Sequence, residues 1–327
     1  MKLFVMLCLS AVLTFAQTAG AVVGAGYSPI APISVSPGQV ITIFVTGVGS
    51  VTQKVSAGNP PLPSKLGGIS GVLNQGGISI PAPVAAVFPV NACSSTNSSV
   101  PCGTVTGITL QVPFELRANI PGTLGVAVVI SYLQVSDDAG HTASVLLNAQ
   151  LDSIHVLRSL DTVMAGDAAQ PSLGNALVTH ADGSLVTATN PAQVGEVLVM
   201  YAVGLGAANP PVKTGVASPA PPVPAAEAFS LNYDYRPNAS PSPGLIILGM
   251  YPPPPPSPLF VGLTPGFVGL DQFNFIVQSS PAGMSPCARS LGIGANPFAS
   301  VSSNLTVTLV GRASFDGAGI CVGPPAP

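Results

Sequence analysis

Gly38-Gln39-Val40-Ile41-Thr42-Ile43-Phe44-Val45-Thr46-Gly47-Val48-Gly49 is matched without a gap by Gly195-Glu196-Val197-Leu198-Val199-Met200-Tyr201-Ala202-Val203-Gly204-Leu205-Gly206. The shared pattern is Gly-[Gln/Glu]-Val-[Ile/Leu], then Phe or Tyr, then Gly-[Val/Leu]-Gly. Each copy is a run of β-branched and aromatic side chains closed by glycines. Both faces are largely apolar, which predicts a central strand covered on both sides. Asn-Pro-Pro follows each copy, at Asn59 to Pro61 and Asn209 to Pro211. Internal similarity of this kind predicts a duplicated architecture.

Two further pairs extend the match. Ile108, Leu110 and Val112 alternate as Phe273, Phe275 and Val277 do, and Val126, Val128 and Ile130 are set against Leu305, Val307 and Leu309. In the last of these, Thr306 and Thr308 take the opposite face, a period of two. The chain carries 36 glycines and 36 prolines in 327 residues, nearly twice the usual share, which argues against long helices. At most, Phe114 to Ala118 makes one short turn. Asp182-Gly183 between Leu177-Val178 and Leu185-Val186 predicts a tight hairpin. Short strands between Gly/Pro turns predict an all-β fold of two related immunoglobulin-like β-sandwich units in tandem, residues 22–158 and 159–327. The second unit has two proline-rich insertions, Pro219 to Pro224 and the run Pro252 to Pro256, expected as stiff extended loops, the kind that blocks an edge strand.

Residues 1–21 have the three parts of a secretory signal. Met1-Lys2 is followed by an apolar run from Leu3 to Ala16 and then by small residues, with cleavage plausible after Ala16 or Ala21. The apolar run falls short of the roughly 20 residues of a membrane span. Leu7 before Cys8 argues against a lipid anchor. A membrane β-barrel would want aromatic girdles, and the chain has 6% aromatics and no Trp. Signal removal leaves Cys93, Cys102, Cys287 and Cys321, an even set that reads in an exported chain as two disulfides with three possible connectivities. The simplest is Cys93–Cys102 with Cys287–Cys321, worth roughly 3 and 4 kcal/mol by loop closure. Zinc-type spacing is absent.

Only 9 basic and 12 acidic residues occur, with a formal net charge of −3. Nothing here offers an electrostatic footprint for nucleic acid or anionic lipid. His180 and Asp182 would share a strand face like half a triad, but no Gly-x-Ser-x-Gly elbow supplies a nucleophile, and Gly68-Ile69-Ser70-Gly71 fails at spacing. Glu115, Glu196 and Glu227 are isolated and form no evident glycosidase pair. Asp137-Asp138-Ala139-Gly140-His141 lacks the spacing of a calcium loop and is expected as a solvated hairpin tip. No dinucleotide or phosphate loop is present. Tyr233-Asp234-Tyr235-Arg236 is a local aromatic and polar cluster, and Tyr233 and Tyr235 are the candidate ligand-stacking residues.

Several segments together resemble the Solibacter-type uncharacterised C-terminal domain family of secreted acidobacterial proteins. They are Pro37 to Phe44, Pro61 to Gly68, Leu110 to Leu116, Ala181 to Ser184, Asn190 to Gly206, and Gly262-Leu263-Thr264-Pro265-Gly266-Phe267-Val268-Gly269-Leu270-Asp271-Gln272-Phe273-Asn274. The resemblance implies an exported β-rich module and no assigned activity. The function expected is therefore a non-enzymatic secreted or cell-surface protein acting in adhesion or envelope-associated assembly, with no cofactor and no metal. Its partner would be a surface protein or a polysaccharide, with no nucleic acid and no membrane span after signal cleavage. A carbohydrate-binding module is the alternative.

Overall fold

The structure is a computed structural model that describes residues 20–26, 32–49, 51–91, 104–119, 129–158, 161, 176–235, 257–279, 281, 283, 287 and 303–323. Residues 1–19 of the signal segment, Cys93, Cys102 and the proline run at 252–256 lie outside the described residues. No helix occurs among the described residues; every regular element is a strand.

Residues up to Ala149 form two sheets. One has the order β1 (Ala21–Ala25), β3 (Val40–Thr46), β9 (Thr104–Gln111), β8 (Val84–Asn91), β4 (Val55–Ser56). The other runs β2 (Ile33–Val35), β11 (Thr142–Ala149), β10 (Ser131–Ser136), β6 (Ile69–Gln75), β5 (Lys65–Leu66), with β7 (Ile78–Ala82) also paired to β6. Ile41, Ile43, Ile108 and Leu110 of the first meet Ile69, Leu73, Leu133 and Val135 of the second in one apolar core. From Ile154 a second core begins. Its larger sheet has the order β12 (His155–Val156), β14 (Val197–Val203), β17 (Asp271–Ile276), β16 (Phe260–Leu263), with β13 (Val178–Thr179) also on β14. Opposite lie β15 (Ser230–Asp234), β18 (Leu305–Val310) and β19 (Phe315–Ile320). Phe273 and Phe275, both fully buried, centre this core, each worth about 3 kcal/mol on transfer from water.

The duplicated motif is duplicated in space. Strands β3 and β14 cover the same positions of the repeat, and the glycine opening each turn takes a left-handed φ, 78° at Gly38 and 84° at Gly195. The side chain after it closes that turn. Gln39 Oε1 accepts from the Ser36 amide at 2.9 Å, and Glu196 Oε2 accepts from the Gln193 amide at 2.9 Å. The neighbouring strands repeat the register too: Ile41 faces Leu110 and Ile43 faces Ile108, as Leu198 faces Phe275 and Met200 faces Phe273. Even the parallel contact recurs, Val35 with Ala149 and Ala192 with Val322.

The third expected pair needs correction. Val126 and Val128 lie outside the described residues, but Ile130 is 69% exposed and precedes its strand. In β10 the buried residues are Ser131, Leu133 and Val135, so the inward parity is the opposite of the one read from Ile130. The strand that sits as β18 does is β10, each lying between an earlier strand and the hairpin partner that follows it.

Other local expectations hold. The 178–186 hairpin turns at Asp182-Gly183, with Val186 N donating to Val178 O at 2.9 Å. Phe114 opens a single turn closed by Leu116 N to Pro113 O. Pro219 to Pro224 runs along the free edge of β16: Leu263 N donates to Val223 O, and Ala225 N donates to Val261 O. Prolines flanking Val223 leave this segment few amides of its own to offer. The segment leading into it also packs on the first sandwich. Gln111, fully buried, accepts from Gly215 N at 2.6 Å and donates to Gly38 O at 3.1 Å. Thr214 Oγ1 donates to Glu115 Oε2 and accepts from Phe114 N. Gln39 Nε2 reaches Ser153 O in the connecting segment at 3.1 Å.

Candidate functional site

Cys287 and Cys321 form a disulfide with Cα atoms 5.3 Å apart, one of the two simplest pairings. Cys321 is buried directly after β19, so the bridge ties Cys287 to the end of the second sandwich.

Tyr233 and Tyr235, the candidate stacking residues, are half-buried on and just after β15. The Tyr233 hydroxyl donates to Ile276 O at 3.0 Å, and its ring meets Phe275 edge-on with centroids 6.1 Å apart. The Tyr235 hydroxyl donates to Gln278 O. Burial raises both phenols above their ordinary range. Both hydroxyls thus reach from one sheet to backbone carbonyls on and after β17 of the other, so these tyrosines brace the sandwich.

The ionisable groups serve similar ends. His180 pairs not with Asp182 but with Glu196, Nδ1 to Oε1 at 2.5 Å. Burial lowers the imidazole, but Glu196 and the Asn190 carbonyl outweigh that and raise it. Asp182 instead accepts from the Ser184 amide and hydroxyl within its own turn. Ser70 shares a hydrogen bond with Ser136 Oγ across β6 and β10, far from any nucleophile geometry. Glu227 lies 3.9 Å from Arg312 Nη1, so the three glutamates have three separate duties.

Asp137 sits at the β10–β11 hairpin tip as expected, yet it is an organiser. It accepts from Gly49, Ala139 and His141 amides and from the His141 ring. Burial pushes its carboxyl up, but the bonds from Gly49 and His141 prevail and hold it at about 2. Asp152, fully buried, does the same at the β18–β19 turn, accepting from the amides of Arg312, Ala313 and Ser314 and from Ser314 Oγ.

One cluster escaped sequence reasoning. His155 has Nε2 3.0 Å from Asp161 Oδ2 and Nδ1 3.4 Å from Asp316 Oδ2, while Arg158 Nη2 lies 2.8 Å from Asp316 Oδ1. Burial lowers His155, but the two carboxylates win and raise it; burial likewise raises Asp316, and His155 with Arg158 brings it below the usual range. Each imidazole nitrogen thus has a carboxylate beside it. The cluster pins β12 to β19, the Val156 amide donating to Asp316 Oδ2 at 2.8 Å. Nothing in the sequence signals it, because Asp316 is some 160 positions from its partners. Among the described residues, no group of three His, Cys, Asp or Glu is placed to hold a metal.

What faces outward is different. In β6, β10 and β11, residues alternate inward and outward, and one row across the sheet reads Leu146, Tyr132, Asn74, Ser79. Leu146 is 52% and Tyr132 42% exposed, and Ile78 and Ile130 beside them are more than half exposed. The β6–β7 turn is Gly76-Gly77, φ 58° and 81°, a two-residue hairpin that a Cβ-bearing pair would strain. Behind it Gln75 is pinned: Nε2 donates to Arg117 O and Ser131 Oγ, and Oε1 accepts from Arg117 N. The result is an open groove of about 600 Å³ at the end of the sheet, lined by Asn74, Ile78, Ser79, Ile130 and Tyr132 among others. Alternation in Ser131 to Ser136 was the signal for Tyr132, obscured by the inverted parity at Ile130. Compared with protein-family models and with curated proteins, the chain matches none.

Proposed function

We propose that the protein is an exported, non-enzymatic interaction protein of two tandem immunoglobulin-like sandwiches, secreted or held at the cell surface, where it serves adhesion or envelope-associated assembly. The observation that carries this reading is the outward face of the sheet built on β6, β10 and β11. There Ile130, Tyr132 and Leu146 are exposed together, and apolar groups gathered on one face mark contact surfaces where single ones do not. The signal-like N-terminus and the Cys287–Cys321 bridge support export. The resemblance to the Solibacter-type module supports it as well; the most distinctive segment, Gly262 to Asn274, includes the end of β16, its turn and most of β17.

The test is co-sedimentation of the secreted protein with the producer's envelope fraction. Saturable binding is expected, weakened at least tenfold by Ile130→Asp with Leu146→Asp while the unfolding midpoint stays put. Absence of binding, or equal binding by the variant, overturns the reading. A carbohydrate-binding module is the second reading, favoured by Tyr132 standing beside the Asn74 amide.

A further inference from the structure

We propose that the groove beside Tyr132 binds a neutral polysaccharide, one sugar ring lying on the tyrosine face while Asn74 and Ser79 contact its hydroxyls. The proposal rests on the interaction reading above and narrows it to one ligand class.

Three observations select that class. First, the groove carries no Asp, Glu, Lys, Arg or His among its lining residues, so an acidic or basic ligand would find no counter-charge. Second, its polar groups are amide and hydroxyl, and one of them is incomplete. Asn74 Oδ1 accepts from Ser79 Oγ at 2.6 Å, while Asn74 Nδ2 is buried and has no hydrogen-bond partner. A buried unpaired donor is costly, and a rotation of the Asn74 amide toward the groove relieves that cost only if the occupant there offers an acceptor, which an apolar protein surface does not. A hydroxyl-rich ligand supplies the acceptor. Third, the apolar part of the site is an exposed aromatic ring with Ile130 on the same face. Flat rings with a polar rim suit the C–H face of a pyranose, which is apolar on its faces and polar around its edge.

The site is also stiff before any ligand arrives. Tyr132 and Asn74 are cross-strand neighbours in the middle of the sheet, and the Gly76-Gly77 turn is locked behind by Gln75. Little ordering remains to oppose binding. Tyr233 and Tyr235 offer no such open platform, because their hydroxyls are bound to carbonyls of the facing sheet.

The experiment is native-gel retardation of the secreted protein in hydroxyethyl cellulose, xylan, galactomannan and β-1,3-glucan, with alginate as an acidic control. Retardation by at least one neutral polymer and none by alginate is expected. Tyr132→Ala should raise the dissociation constant at least tenfold, and Asn74→Leu several-fold. Tyr132→Phe, which keeps the ring, should bind like the native protein and so separates loss of the platform from loss of the fold. No retardation by any neutral polymer overturns the proposal, as does native binding by Tyr132→Ala. If those gels are negative while envelope co-sedimentation persists, this proposal fails and the interaction reading stands. If the envelope assay is negative too, both fail.

Discussion

Asp271 and Asp137 show how the same side chain answers to its surroundings. Asp271 is buried at the start of β17, and burial raises its carboxyl to about 7 although the Leu205 and Gly204 amides pull it down. A folded-state value above the unfolded one of ~3.9 means that the native state holds the proton more tightly. Its stabilising contribution is complete below pH ~4 and is lost as pH rises through 7, a swing on the order of 4 kcal/mol. Asp137 has the opposite sign: its contribution is present above pH ~4 and is lost as pH falls toward 2. The two windows do not overlap. Asp271→Asn should therefore flatten the decline in urea midpoint between pH 4 and 8 and leave the acid limb alone. An unchanged slope in that variant would show that Asp271 does not titrate in this range. Neither behaviour was legible from sequence, where the two residues differ only in their neighbours.

At the scale of elements, the repeat was the most legible feature. Glycines bounding β3 and β14, and the apolar alternation of β9 and β17, are local properties of the chain, so pattern alone finds them. The Gln39 and Glu196 turn closures were visible as a shared polar position but not as a bond. Edges were harder to see. The proline segment at 219–224 covers β16 because Gly262 has no side chain: a Cβ there would lie 2.2 Å from Val223 O. Gly262→Val should displace that segment and expose the β16 edge, lowering stability by about 1–3 kcal/mol and driving self-association seen by light scattering. A monodisperse monomer of native stability would contradict this. The first strand bears on processing. Ala21 pairs with Thr46 and the Gly20 amide donates to Thr142 O at 2.8 Å, so cleavage after Ala21 would strip the start of β1. Of the two cleavage points, and on the export reading proposed above, N-terminal sequencing of the mature protein should find Gln17 first; a chain beginning at Val22 would overturn this.

For the whole molecule, two apolar cores divide the chain between Ala149 and Ile154, and buried Gln39 and Gln111 join them across the segment and insertion that lie between. The disulfide belongs wholly to the second core. Closing a loop between residues 34 apart restricts the unfolded chain by about 4 kcal/mol on the loop-entropy model. Replacing Cys287 and Cys321 by alanine should lower the unfolding transition of the second sandwich and leave that of the first in place. Calorimetry resolves this: two transitions moving together would mean that the interface makes the sandwiches one cooperative unit.

Strand class, the twofold repeat, the hairpin at Asp182-Gly183 and the edge-covering role of the first proline insertion were all readable along the chain, because each depends on period, turn chemistry or a missing amide. The groove at Tyr132, the His155 cluster and the engagement of Tyr233 and Tyr235 were not. Each depends on which strands become neighbours: β10 beside β6, β12 against β19, β15 facing β17. In a β-sandwich these contacts join residues tens to hundreds of positions apart, and a shift of one residue in register turns a binding face into a core. Pattern along the chain specifies the strands; burial of the two cores selects their partners, and with them every site that the molecule presents.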